Sequence, residues 1–545
     1  MHVPGIITVT SWGPWPSQRL SGILFTDDTI VIGDDGFAAF LARAPTPPIV
    51  EHLREGRFAL VLADGDTLHA RCDDMGQDTL YHYSDRERWA FSNSFLALCE
   101  ALAQAGVRLQ PYLPGLAAFR IGSLGLFGGQ AVSNDTPIAG VRALPLDRAL
   151  RVTRLEGASR LEVVPLPPPV QPAGYEETLV AYAETWRDRL HTLAARGPVG
   201  MSIDLSGGYD SRVCFGLAYP VLPDGSRFSI VSNPRNEPDV RPAALVRAQY
   251  GVPEGSAIPN PPTLDAEEAY RLWRLGNVGV YAPVYLPRHR TAAAAWRVHG
   301  GHFRASAYVA LAPRDRLRRF ERVLARTGGP VEGFAESFLG SFDEIGVALD
   351  DPDAMQAHYL HFRARGHYGR AWFQATRTFI LTPLLSSVLL GVAGHQRTRS
   401  GTSQARWRQL TCDLLSLLDP ALATIPFDDP KKAFRSEELQ ASPFQRSGGA
   451  VLRAPHVLRV YPERPAEPPV RREGIDLDVL HEGFARHAAQ ELARSAEHAQ
   501  ATGLLPNHVL AEARDGLREH ESNSKGLARV ARALTACAVA DLCAH

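Results

Sequence analysis

The chain has 545 residues, 45% of them hydrophobic, with 58 Lys+Arg against 59 Asp+Glu for a net charge of −1. That length supports two or three domains, each with its own core, and the neutral balance excludes a protein held to nucleic acid or an anionic membrane by an overall basic field. There is no run of 18 apolar residues and no start resembling a signal peptide. The six cysteines (Cys72, Cys99, Cys214, Cys412, Cys537, Cys543) lack zinc spacing or disulfide-scaffold density, so the expectation is a cytoplasmic protein with reduced thiols and small charged partners.

Residues 1 to about 165 alternate short strand-like runs (23–25, 30–32, 58–62, 79–83, 89–92) with turn signals such as Asp64-Gly65-Asp66, which predicts an α+β N-terminal layered domain over 1–165. The Pro-rich stretch 165–172 breaks helix and sheet alike and marks a linker over 166–174. From Tyr175 to Arg196 apolar residues recur at helical spacing, and a strand follows. Beyond it come a helix, a second strand at 228–231, and a helix over 240–250 closed by Gly251 and Pro253. Strand and helix in alternation predict an α/β C-terminal domain over 175–545 with a parallel sheet, whose ligands bind beyond the carboxyl ends of the strands. The rest is helical, interrupted around 420–430 and 454–472. In the last stretch, 474–545, Leu477, Val479, Leu480, Phe484, Leu527, Val530 and Leu534 are read as packing positions, with a cover over the active site or self-association into a homodimer as the alternatives.

The most informative segment is Gly200-Met201-Ser202-Ile203-Asp204-Leu205-Ser206-Gly207-Gly208-Tyr209-Asp210-Ser211. An apolar strand ends in Ser-Gly-Gly and an Asp-Ser pair opens a helix, which is how a phosphate cradle is written. Gly207 and Gly208 let the backbone approach an anion, the helix start supplies free amides and a positive dipole end, Ser206 and Ser211 add hydroxyls, and Asp210 is placed to hold Mg2+. No Gly-Lys-Ser/Thr follows, so a Walker-type kinase or GTPase is excluded. Tyr209 is expected to pack and Arg212 to lie on the helix surface.

The loop resembles the SGGxDS pyrophosphate loop of the ATP pyrophosphatase domain found in the asparagine synthetase family, and the resemblance extends over about 180–440. Glu237-Pro238-Asp239-Val240 resembles the acidic start of the following helix, with Asp239 as its N-cap. His299-Gly300-Gly301-His302 stands where the family's second glycine-rich motif lies, with His302 in place of an acidic residue. Thr382-Pro383-Leu384-Leu385-Ser386 is similar to the family's Arg-x-Pro-Phe-Leu-Asp segment and is read as core packing. In 425–434, Lys431 aligns with the family lysine near the ATP phosphates. The first 165 residues resemble the family's glutaminase domain through Gly56-Arg57-Phe58-Ala59-Leu60, Asp73, Gly76, Leu80-Tyr81-His82-Tyr83 and Phe91-Ser92-Asn93-Ser94. Position 2 is His2 where that chemistry needs an N-terminal cysteine, so glutamine hydrolysis should be absent, as in β-lactam synthetase and lasso peptide cyclase relatives.

The resemblance implies an AMP-forming amide ligase that uses ATP and Mg2+. A carboxylate attacks the α-phosphate, an acyl-adenylate and pyrophosphate form, and an amine takes the acyl group. Lys431 and Asp210 are the expected catalytic residues, Ser206, Gly207, Gly208, Asp210, Ser211, Gly300 and Gly301 the nucleotide contacts, and Asp210 the metal ligand. The partners are a small or peptidic carboxylate and an amine. Asparagine synthesis from aspartate and free ammonia, and a degenerate relative that binds a nucleotide or partner without turnover, are the alternatives.

Overall fold

The computed structural model describes residues 5–44, 48–121, 128–156, 158–168, 174–196, 200–226, 228–232, 237–252, 264–282, 284–287, 295–301, 306–329, 331–395, 403–462, 477–518 and 524–544. His2, Pro253, His302 and residues 169–173 of the Pro-rich stretch lie outside them.

Among the described residues the first part of the chain supplies ten strands: β1 (Thr8–Thr10), β2 (Gln18–Phe25), β3 (Thr29–Ile32), β4 (Glu55–Asp64), β5 (Thr67–Cys72), β6 (Tyr81–Ser84), β7 (Trp89–Ser92), β8 (Arg142–Ala143), β9 (Arg148–Leu155) and β10 (Ala158–Pro165). They form two sheets, one ordered β1-β7-β6-β8 and one containing β10-β9-β5-β4-β2-β3. The period of two in β4 sorts its side chains between two cores. Ala59 and Val61 meet Val9, Trp89 and Phe91 from the other sheet, whereas Phe58, Leu60 and Leu62 meet Phe37 from the helix Gly33–Arg43. Burial on both faces explains why this strand reads as one unbroken apolar run.

A second body is built on four parallel strands, β11 (Gly200–Asp204), β12 (Phe228–Val231), β13 (Ala295–Val298) and β14 (Phe379–Leu381), in the order β12-β11-β13-β14. The chain passes from β11 to β12 on one side and returns past β11 to β13 on the other. The point where strand order reverses therefore lies at the carboxyl end of β11, where a crevice for a ligand opens in sheets of this kind. Met201 and Ile203 anchor β11 in a core shared with Leu179 and Leu190 of helix Tyr175–Ala195 and Val213 and Phe215 of helix Tyr209–Ala218.

The two parts are stitched together. Strand β15 (Arg459–Tyr461), from late in the chain, pairs in parallel with β3 and becomes the edge of the first large sheet. Sheet membership thus crosses the sequence boundary at 166–174. Arg57, buried, donates to the carbonyls of Tyr368 and Ile380 and to Gln374. The last three helices, Leu477–Ala501, Asn507–Arg518 and Ser524–Cys543, bury Leu480, Phe484, Leu527, Val530 and Leu534 in a core with Phe95 and Trp273, so these positions do pack; Val479 faces outward. Thr382 to Ser386 is buried as expected. The cysteines are free thiols, five of the six buried, and among the described residues no helix is long and apolar enough to cross a membrane.

Candidate phosphate-binding site

At the carboxyl end of β11 a cavity of about 610 Å³ is lined by Ser206, Gly208, Asp210 and Ser211, by Gly300 and Gly301 after β13, by Val231 and Ser232 after β12, and by Asp428, Lys431 and Lys432. Residues far apart in sequence converge here because three parallel strands end on the same side. The loop is held by its own side chains: the Ser206 amide donates to Ser211 Oγ at 2.9 Å and the Gly208 amide to Ser206 Oγ at 3.3 Å. Gly208 is the N-cap of helix Tyr209–Ala218 and supplies no side-chain cap, so the first-turn amides and the positive dipole end face the cavity.

Gly207 and Gly300 serve close approach, whereas Gly301 takes a left-handed turn with φ of 70°. A Cβ on Gly207 would stand 2.3 Å from Asp428 Cβ, and one on Gly300 would stand 2.4 Å from Asp210 Cβ. Gly208, with φ of −90°, has nothing nearer than Ser206 Oγ at 3.7 Å. Gly207→Ala should therefore destabilise the fold by about 1–3 kcal/mol through overpacking. Gly208→Ala should leave the melting temperature unchanged and weaken only anion binding. Equal loss of stability in both variants, read by thermal denaturation, would contradict this geometry.

Asp210 is half-buried in the cavity wall beside Gly300, and desolvation pushes its carboxyl up to about 7 although the charge of Lys432 pulls it down. The Lys432 ammonium bonds both oxygens of Asp428, at 2.8 and 2.6 Å, and stands 4.0 Å from the point where a Gly208 Cβ would be. Lys431, the residue singled out by alignment, also lines the cavity; its side chain is exposed and its amide donates to Asp429 Oδ1. The inner cation is thus the neighbour of the expected one.

Two expectations are corrected. Arg212 is fully buried rather than on the helix surface: it donates to the carbonyls of Leu422, Ile425 and Pro426 and lies 3.8 Å over the Phe427 ring. It ties the loop helix to the segment carrying Asp428 and Lys432. Asp239 lies inside helix Glu237–Gln249 rather than capping it, and its Oδ1 accepts the Gly207 amide at 3.1 Å. Tyr209 packs as expected, between Phe427 and Phe434, and its hydroxyl bonds the Lys432 carbonyl and Arg408. The far wall carries an ion pair not picked out from sequence, Arg297 bonding both oxygens of Asp204 at 2.8 and 2.9 Å; His299, from the second glycine-rich motif, sets Nε2 3.7 Å from that carboxylate while its Nδ1 accepts the Gly301 amide. The alternation along β11 and β13, which turns Asp204 and Arg297 away from the Met201 and Ile203 face, is the signal that could have found it.

Asp210 is matched in the first part of the chain by Asp78, pushed up to about 8 by burial despite hydrogen bonds from Ser21 and Asn93. An acid whose folded pKa is raised keeps its proton where the unfolded chain has lost it, so stability falls as pH rises towards that pKa. The buried His82 and His358, depressed to about 4 and about 3, act only below the ordinary histidine range. The melting temperature of the ligand-free protein should therefore fall between pH 6.5 and 8, and Asp78→Asn should flatten that slope. A wild-type melting temperature that climbs through this window would contradict the burial argument.

No protein-family model matches the chain, and no curated protein does either. Among the described residues no group of three or more His, Cys, Asp or Glu is gathered to hold a metal ion.

Proposed function

We propose that the protein is an ATP-dependent, AMP-forming amide ligase that activates a carboxylate and passes the acyl group to an amine. The observation that carries this reading is the convergence of the 206–211 loop, with half-buried Asp210, and of Lys432 on one cavity at the switch point of a parallel sheet. Its volume, about 610 Å³, falls within the roughly 300–1,000 Å³ of small-ligand sites. In this reading the parallel sheet is of the ATP pyrophosphatase type, and the first 165 residues are a glutaminase-like domain without a nucleophile.

A carboxylate does not condense with an amine unaided, because oxide is a poor leaving group. Attack on the α-phosphate of ATP converts that oxygen into part of AMP and expels pyrophosphate, and the amine then displaces AMP. The chain must hold the charge that collects on pyrophosphate. The first-turn amides from Tyr209 onward, the Ser206 and Ser211 hydroxyls and the Lys432 ammonium are the donors placed for it. Mg2+ would neutralise phosphate charge when bound, held by Asp210 together with phosphate oxygens and water, which fits a half-buried carboxylate in a site where the described residues gather no all-protein cage. Binding it favours the carboxylate form of Asp210 over the protonated one.

The test is pyrophosphate release with Mg2+ and ATP across amino acids and short peptides, with and without ammonia. Release stimulated by an acid supports the ligase, and dependence on aspartate plus ammonia would favour asparagine synthesis. ATP binding without release for any acid would favour the degenerate alternative.

A further inference from the structure

The first large sheet ends, on the side away from β15, in strand β10. This strand pairs along its whole length with β9, from Ala158 against Leu155 to Pro165 against Arg148. No described residue bonds the backbone groups along its other edge. An open edge presents a row of amides and carbonyls that another strand can take up, and proteins usually shorten, bend or charge such edges. This one is eight residues long, and its one arginine and one glutamate, Arg160 and Glu162, leave it neutral. Apolar side chains are not withdrawn from it either. Val163 is 40% exposed although it lies on the same face as Leu161, which belongs to the core between the two sheets, and Leu155 of the same hairpin is 53% exposed.

The strand is complementary to itself in one register. A second copy added antiparallel must keep its core-facing side chains on the same side of the sheet, so even-numbered residues stand opposite even-numbered ones. Centring the pair on Arg160 sets arginine against arginine, and centring it on Glu162 sets glutamate against glutamate; both are unfavourable for directly opposed side chains. Centring it on Leu161 sets Arg160 against the partner's Glu162, twice by symmetry. The other face then brings Leu161 against the partner's Leu161 and covers Val163 with the partner's Ser159. Within one chain Glu162 already pairs with Arg151 of β9 at 3.0 Å, whereas Arg160, its side chain 73% exposed, lies 3.7 Å from Glu162. The added strand thus continues an alternation of charge across the seam.

We infer that β10 is a self-association surface, through which two copies of this chain join edge to edge, antiparallel about Leu161, into one continuous sheet. Each contact is repeated across a two-fold axis, as in any isologous dimer. The surface lies in the first part of the chain and not on the last three helices, whose apolar positions are buried in their own core. It stands independently of the ligase reading.

The experiment is sedimentation velocity on the full chain: wild type, Arg160→Glu, Glu162→Arg, the double variant, and an equimolar mixture of the two single variants. Wild type should form a dimer of 59.5-kDa chains at about 100 µM or below. Each single variant opposes like charges twice and should dimerise at least about tenfold more weakly. The double variant exchanges the charges and should dimerise as wild type does. The mixture should form a mixed dimer, because the all-acidic edge of one variant then faces the all-basic edge of the other. These two rescues separate loss of pairing from loss of stability in a single variant. A wild type that stays monomeric at that concentration, single variants that dimerise as tightly as wild type, or a double variant and a mixture that both stay monomeric would each overturn the inference.

Discussion

Asp210→Ala should reduce acid-stimulated pyrophosphate release by about a thousandfold, since a metal clamp on transferring phosphate is worth several kcal/mol and each 1.4 kcal/mol is tenfold. The fold should survive the change. Asp210 is half-buried against Gly300, its carboxyl is held up to about 7, and the substitution removes a group whose ionisation desolvation opposes. At and above pH 7, where the penalty of the raised carboxyl is fully present, the ligand-free variant should melt no lower than wild type apart from the small cavity left behind. Asp210→Asn keeps the shape and should lose as much turnover, which separates the carboxylate from its packing. Steady-state pyrophosphate assays with melting curves on the same preparations decide the matter. A loss of less than tenfold in both variants would remove Asp210 from the metal site.

Lys432→Met should cost about a hundredfold in the same assay, the size typical of removing one preorganised donor from developing charge. Lys431→Met should cost no more than about threefold, since an exposed ammonium at the cavity mouth is screened by water. Removing Lys432 also leaves Asp428 unpaired beside the phosphates. The double variant Lys432→Met with Asp428→Asn separates the two effects: recovery of ATP affinity without recovery of rate assigns Lys432 to the leaving pyrophosphate. The reverse ranking, with Lys431→Met the more damaging, would return the role to the residue chosen by alignment.

The phosphate loop was legible in sequence because local signals agree: an apolar strand, two glycines and a helix start lie within twelve residues, and the strand at 228–231 was located to the residue. What was not legible depends on contacts between distant segments. Arg212 reads as surface because arginine usually is, yet its partners Leu422, Ile425 and Pro426 are more than 200 residues away. Lys431 and Lys432 are indistinguishable in sequence; only a short 3-10 turn, Pro430–Lys432, decides which ammonium points at the loop. Strands β5, β9 and β10 lay hidden because arginines interrupt their apolar alternation, as in Arg148–Leu155. Strand β15 pairs with a strand more than 400 residues earlier, and no local pattern announces that pairing.

The most direct test of the phosphate site is equilibrium binding of Mg2+-ATP to wild type and to Lys432→Met by calorimetry, at pH 8 where Asp210 is ionised. Wild type should bind with a dissociation constant of about 1 mM or tighter, the ordinary range for enzyme substrates, and Lys432→Met at least about tenfold more weakly. Absence of Mg2+-ATP binding by the wild-type protein would contradict the assignment of residues 206–211 as a phosphate cradle.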